Sequence, residues 1–191
     1  MKKKTVAVLM TAVMAMGMVS AVSVQAGIKD KTLIVGFDAE YPPYGYMDDD
    51  GEYTGFDLEL AQAVCDLEGW ELEKKPINWD SKDMELNSGS IDCIWNGFTM
   101  NGREDDYTFS EPYVDNSQVI VVADDSGIEK LTDLAGKTVG VQAASAALDL
   151  LQSEEEGGQK ELADTFGSLN EFADYNTAFT ELQAGALDAL A

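Results

Sequence analysis

The chain has 191 residues, 36 of them acidic and 12 basic, for a formal net charge of −24, with two cysteines and no histidine. That acid excess excludes nucleic acid, whose partners need a basic surface to displace counterions, and argues against anionic membranes. The lack of histidine excludes Ser-His and Cys-His nucleophile pairs and histidine metal sites. Neither Cys65 nor Cys93 has a metal-ligand spacing, so no metal and no cofactor is expected.

The first 26 residues have the grammar of an export signal. Lys2-Lys3-Lys4 form a basic start, Val6 to Val19 an apolar core broken by Thr11 and Gly17, and small residues precede a cut expected after Ala26. The core is short of the ~20 residues that a membrane span needs, which weighs against a retained anchor. The product is expected to be exported and soluble, periplasmic or extracellular, with no membrane insertion after cleavage. All 36 acids lie beyond the signal, so the folded part is more acidic than the whole. The runs Asp48-Asp49-Asp50 and Glu154-Glu155-Glu156 suit solvated loops and helix ends.

Lys31 to Phe37 is continuous in apolar character, as in a strand buried on both faces of a parallel sheet. An aromatic, Pro-rich loop follows, from Asp38 to Tyr46. A helix is expected over Phe56 to Glu68, where residues 56, 60, 63, 64 and 67 trace one apolar stripe. Thr54 and Asp57 have capping-box spacing and Gly69 ends the helix. A strand over Glu71 to Lys75, a loop holding Trp79, a short helix over Lys82 to Ser88 and a strand over Ile91 to Trp95 complete one α/β unit.

A second unit begins at Gln118. Strands are expected over Gln118 to Ala123 and Lys137 to Val141, helices over Ser145 to Gln152 and Asn176 to Ala184, and another strand from Leu187. The units echo one another: Glu85 to Ile94 matches Glu181 to Leu190, each a helix end, a Gly cap and a strand. The Pro-containing segment Phe109 to Ser117 suits a crossing between them. The expected domains are a signal at 1–26, lobe one at 27–112, a hinge at 113–117 and lobe two at 118–191. Two such lobes leave a cleft at the carboxyl ends of their strands, where open sheets place ligands.

Several side chains fall at that cleft. Arg103 is the only arginine of the chain. It either grips a ligand carboxylate with its planar fork or pairs with neighbouring Glu104 or Asp105. Asp38, after the first strand, either receives a ligand ammonium or polar group or forms an Asx turn. Tyr41, Tyr44 and Trp79 offer flat faces to an aliphatic or cationic group, or pack against lobe edges. Gly97 lets backbone approach a ligand, and Thr99 adds a hydroxyl. Ser145 opens a helix whose free N–H groups suit a carboxylate, or simply caps it. Cys65 and Cys93 either pair or remain buried thiols.

Taken together, Val35 to Tyr44, Gly55 to Ala61, Gly89 to Asp92, Gly97-Phe98-Thr99 with Arg103, Phe109 to Tyr113 and Gly136 to Gln142 resemble the extracellular solute-binding proteins of amino-acid ABC importers, the polar-amino-acid family of periplasmic binding proteins. The resemblance implies an α/β, two-lobed periplasmic-binding-protein-like fold that binds an L-amino acid and hands it to a membrane permease; the acid-rich pocket rim and Asp38 favour a polar or cationic one. It implies a monomer without catalysis. Arg103, Thr99 and the Gly97 backbone resemble the family's grip on the α-carboxylate, completed by Ser145 and Ala146. Asp38, Tyr41, Tyr44 and Trp79 match side-chain pocket positions, and Asn96 and Phe98 line the same wall. The Thr99–Arg103 spacing is one residue shorter than in most members. The family's ammonium-binding Asp follows Gly185-Ala186-Leu187-Asp188 by a few residues, beyond Ala191. A piece of a longer protein with an incomplete second lobe is therefore expected. The same fold also serves in sensory receptors and in cyclohexadienyl dehydratase-like enzymes, where Glu or Lys would move protons.

Overall fold

The structure is a computed structural model that describes residues 31–191. The expected signal at 1–26 lies outside the described residues. Among those described, no helix is long and apolar enough to cross a membrane.

Lobe one is built on β1 (Thr32–Phe37), with parallel neighbours β5 (Glu71–Pro76) and β6 (Cys93–Ile94) on its two sides. A small antiparallel meander of β2 (Glu40–Tyr41), β3 (Gly45–Met47) and β4 (Tyr53–Thr54) leads into α1 (Phe56–Glu68). The helix α1 lays Leu58, Ala61 and Cys65 on Leu33, Val35 and Phe37 to form the core. Then α2 (Lys82–Asn87) connects β5 to β6. Cys65 and Cys93 lie in and against this core as free thiols.

Lobe two has the strand order β7 (Val121–Val122), β10 (Ala189–Leu190), β8 (Thr138–Gln142), β9 (Ser168–Phe172); only β7 runs antiparallel. Helices α3 (Ala146–Gln152), α4 (Lys160–Ala163) and α5 (Tyr175–Gln183) cover it. The sequence echo is structural. In lobe one the Asp92 carboxylate accepts the Ile34 N–H at 2.8 Å, and the Asp92 N–H returns to the Ile34 carbonyl at 2.8 Å. In lobe two Asp188 does the same with Thr138, at 2.8 and 2.9 Å.

The differences from expectation have local causes. The Thr54–Asp57 capping box does not form. Gly55 is the N-cap at φ 126, and the Phe56 and Asp57 N–H groups go to the Pro43 and Tyr44 carbonyls, at 2.9 and 3.0 Å. The meander thus satisfies donors that a side chain would otherwise cap. The Asp57 carboxylate is turned inward, where it accepts the Tyr113 hydroxyl at 2.8 Å. The strands expected over Ile91 to Trp95 and Gln118 to Ala123 shrink to two residues each. The elements β2 to β4, α4 and β9 were not anticipated.

Candidate functional site

The cleft lies where the carboxyl ends of β1, β6, β8 and β9 meet. A small cavity of about 40 Å³ marks it, lined from lobe one by Tyr41, Trp79, Asn96, Gly97, Phe98, Thr99 and Arg103 and from lobe two by Gln142, Ser145, Ala146 and Tyr175. Asp38 is joined to that lining through Gln142. Tyr44 stands behind it, stacked on Tyr41 with ring centres 5.6 Å apart. A larger cavity of about 530 Å³ runs along the other side of β6. It gathers apolar groups of lobe one and no residue of lobe two, so it is not the cleft.

The corner after β6 carries five of these residues, Asn96, Gly97, Phe98, Thr99 and Arg103. Asn96 accepts the Asp38 N–H at 2.8 Å and so ties the ends of β1 and β6 together. Phe98 underlies the Arg103 guanidinium, 4.9 Å away, and meets Trp79 edge-on at 5.3 Å. The Thr99 hydroxyl receives Asn116, and its carbonyl receives Arg103 at 3.3 Å. Arg103 points into the cleft with its side chain 11% exposed. Neither Glu104 nor Asp105 is its partner. It crosses to lobe two, to the Ala144 carbonyl at 3.3 Å and the Asp149 carboxylate at 2.6 Å.

On the other lobe, Ser145 caps α3 by accepting the Leu148 N–H at 3.1 Å. Ala144 ahead of it has a φ of +53, unusual for a residue with a side chain.

The far end of the cleft is acidic and aromatic. Asp38 is 5% exposed. One of its oxygens accepts the Glu40 N–H at 2.9 Å, an Asx turn, and the other accepts Gln142 from lobe two at 2.7 Å. Burial raises its pKa above the ordinary 3.8; the Glu40 N–H and Gln142 pull it down, and the charges of Asp174 and Glu40 add to the rise. A folded-state pKa above the unfolded one means that Asp38 favours the fold below the unfolded value, and that this support is lost as pH climbs through the raised value. Asp38→Asn removes the charge but has one acceptor oxygen where Asp38 uses two, so the lost acceptor costs the variant a fixed amount at every pH. Its melting point relative to wild type is expected to rise from pH 4 to pH 7, by about 2–4 °C for each kcal/mol. A relative midpoint that falls over that range would contradict a desolvated carboxylate. Tyr41 meets Tyr175 across the cleft at 5.9 Å, and Glu40 receives Asn176 at 2.6 Å.

Four residues here escaped the sequence reading: Gln142, Tyr175, Lys82 and Asp149. Gln142 had a signal, a polar residue closing the apolar run Val139-Gly140-Val141. Lys82 and Asp149 look like ordinary solvated helix residues until the lobes are brought together.

Comparison with known proteins gives the family. The pattern of the bacterial extracellular solute-binding proteins, family 3, matches residues 33–191. The L-cystine-binding protein TcyJ of Escherichia coli (strain K12) is 32% identical over 190 residues, 93% of this chain and 68% of its own length. The arginine-binding extracellular protein ArtP of Bacillus subtilis (strain 168) is 38% identical over 138 residues, 72% of this chain and 51% of its own. The crystal structure of an ABC uptake transporter substrate binding protein from Streptococcus pneumoniae with bound histidine aligns with a TM-score of 0.78 at 36% identity, covering 84% of this chain and 65% of that one. The chain thus spans about half to two thirds of the length of these relatives.

Proposed function

The chain belongs to the bacterial extracellular solute-binding proteins, family 3, and on that premise we propose that it binds a free L-amino acid, polar or cationic, between its lobes and delivers it to an ABC permease outside the cytoplasm. The observation that carries this reading is the cross-cleft position of Arg103. A buried guanidinium seated on Phe98, next to Thr99 and facing the Ala144–Ser145 turn, is the chemistry that holds an α-carboxylate. In this reading Gly97, Ser145 and Ala146 complete the carboxylate end.

The other end sets the side-chain preference. Asp38 and the charges of Glu40 and Asp174 create a negative region beside Tyr41 and Tyr175. A cationic side chain gains from both, through charge pairing and about 0.5–2 kcal/mol of cation–π attraction. Asn96, Tyr44, Trp79 and Phe98 shape the walls. The hinge is assigned to residues 113–117, with lobe one at 27–112 and lobe two from 118; Tyr113 anchors this crossing on Asp57.

Entry requires motion. A cavity of about 40 Å³ holds roughly one water, against the hundreds of Å³ that a small-molecule site offers. The Arg103–Asp149 and Asp38–Gln142 bonds must therefore open before an amino acid enters, and the lobes close again on it. No chemical turnover is proposed.

The test is a melting curve of the protein with each common L-amino acid at millimolar concentration. One or a few, with arginine, lysine or histidine foremost, should raise the midpoint in a dose-dependent way, by about 2.7 kcal/mol of stability at a hundredfold excess over Kd. If none shifts it, amino-acid binding is wrong. If only apolar ones do, the acidic end does not select the side chain.

A further inference from the structure

Lys82 opens α2 on the lobe-one side of the cleft, yet the residue is only 4% exposed. Its ammonium lies 5.3 Å from the centre of the Trp79 ring and makes one long hydrogen bond, 3.4 Å, to the Ala144 carbonyl of lobe two. Among the described residues no carboxylate comes within 4.0 Å of it. An ammonium carries three donors, and burying one with a single neutral acceptor costs free energy unless something else meets it. Burial is the main influence on its pKa and pulls it below the ordinary 10.5, with Arg103 adding to the fall and Asp83, Asp149 and Asp80 opposing it.

Arg103 reaches the same Ala144 oxygen, at 3.3 Å. Two lobe-one cations therefore converge on one neutral acceptor. That acceptor is presented by a strained residue, since Ala144 holds a φ of +53. Arg103 also has the Asp149 carboxylate; Lys82 has no counterpart. Asp149 itself is 59% exposed at its side chain, so it sits at the rim and can withdraw into water. Two converging cations, one of them unpaired, next to a carboxylate that can leave, form a place for an incoming carboxylate.

Resting on the amino-acid reading above, we infer that Lys82 is a second direct contact for the ligand's carboxylate, which sits between the Lys82 ammonium and the Arg103 fork. Lys82 then acts as a specificity-determining residue: it makes a free carboxylate a requirement. The side chain of the amino acid, at the Asp38 end, is outside its reach.

The experiment is calorimetric titration of wild type and Lys82→Met with L-arginine and with agmatine, which is arginine without its carboxylate. Where the amino-acid panel selects histidine, histidine and histamine serve. Methionine replaces the stem in volume and keeps the burial, and Lys82→Arg preserves the charge should methionine disturb folding. Lys82→Met should bind the amino acid about 10- to 100-fold more weakly, the scale of one hydrogen bond to a charged group, and bind the amine as wild type does. Lys82→Arg should stay within a few-fold of wild type for both. Equal losses for the amino acid and the amine would mean that Lys82 merely holds the lobes together, and would overturn the inference. No loss for either would overturn it as well. A wild type that binds no amino acid defeats the underlying reading, whereas a wild type that binds while Lys82→Met is indifferent defeats this inference alone.

Discussion

Arg103→Ala is expected to abolish measurable amino-acid binding while leaving the fold in place. For the ligand, the guanidinium supplies two parallel donors and a full charge in a cleft that becomes dry on closure. Removing one partner of such a pair costs about 2–5 kcal/mol, or roughly 30- to several-thousand-fold in Kd. For the fold, the residue belongs to a turn after β6, not to a core strand. Its internal carboxylate partner, Asp149, is 59% exposed and is simply left hydrated when the arginine goes. The loss of the contact with Phe98, 4.9 Å away, is softened because that ring stays packed against Trp79, Tyr107 and Phe109. Arg103→Lys keeps the charge but not the fork, and should fall between, about tenfold weaker than wild type. Titration calorimetry and a melting curve on each variant decide the matter. Binding by Arg103→Ala within threefold of wild type would remove the carboxylate-grip reading.

Gly55→Ala is expected to destabilise the protein more than any other conservative change in lobe one, by about 3 kcal/mol or roughly 6–12 °C in Tm. Gly55 combines two demands. Its φ of 126 is a conformation that L side chains rarely adopt. An added Cβ would also lie 2.3 Å from the Tyr44 carbonyl oxygen, which is backbone and cannot swing away. The same carbonyl receives the Asp57 N–H at the start of α1, so relief of the clash unseats the helix and the aromatic loop together. Gly51 is the internal control: its φ is 83, but no atom lies within 4 Å of its added Cβ, so Gly51→Ala should suffer from conformation alone. Thermal denaturation of both variants makes the comparison. Similar melting points would show that the Tyr44 loop yields more easily than its hydrogen bonds suggest.

Sequence pattern reached the parts of this molecule that are governed by one periodicity and a clear stop. Continuous apolar runs announced β1 and β8 because both faces of those strands are buried. The span of α1 and the cap at Gly69, which adopts φ 67, were legible for the same local reasons, but the stripe expected over residues 56, 60, 63, 64 and 67 was not the buried face: Phe56 and Leu67 are exposed, and the sheet covers Asp57, Leu58, Ala61 and Cys65 instead. Pattern failed where pairing is decided by partners far away. Ser168–Phe172 carries mixed polarity as an edge strand of the lobe-two sheet, and only its register with β8 makes it a strand. The meander between Glu40 and Thr54 has strands too short for any alternation to register.

The candidate site divides along the same line. Residues standing just after strands, such as Asp38, Asn96 and Ser145, could be named because the α/β topology says where strand ends point. Whether Arg103 would meet a sequence neighbour or cross the cleft could not be settled from spacing. The crossing depends on Ala144 and Asp149, 41 and 46 positions away. Lys82 follows the same rule: a lysine at a helix start is ordinarily hydrated, whereas this one lies beside the Trp79 ring and reaches the Ala144 carbonyl of the opposing lobe, 62 positions away.

The bonds that shut the cleft link the most distant parts of the chain: Asp38 to Gln142 across 104 positions, and Glu40 to Asn176 across 136. Each sheet, by contrast, can collapse on helices encoded close to it, as β1 does with α1. Closing long loops is entropically costly before it is rewarded, so contacts of this range form late along a folding route. Recognition competence is thus the final property the polypeptide acquires. A chain with both of its cores already condensed would still be blind to its solute until the two lobes came to face one another, the arrangement that those bridges mark.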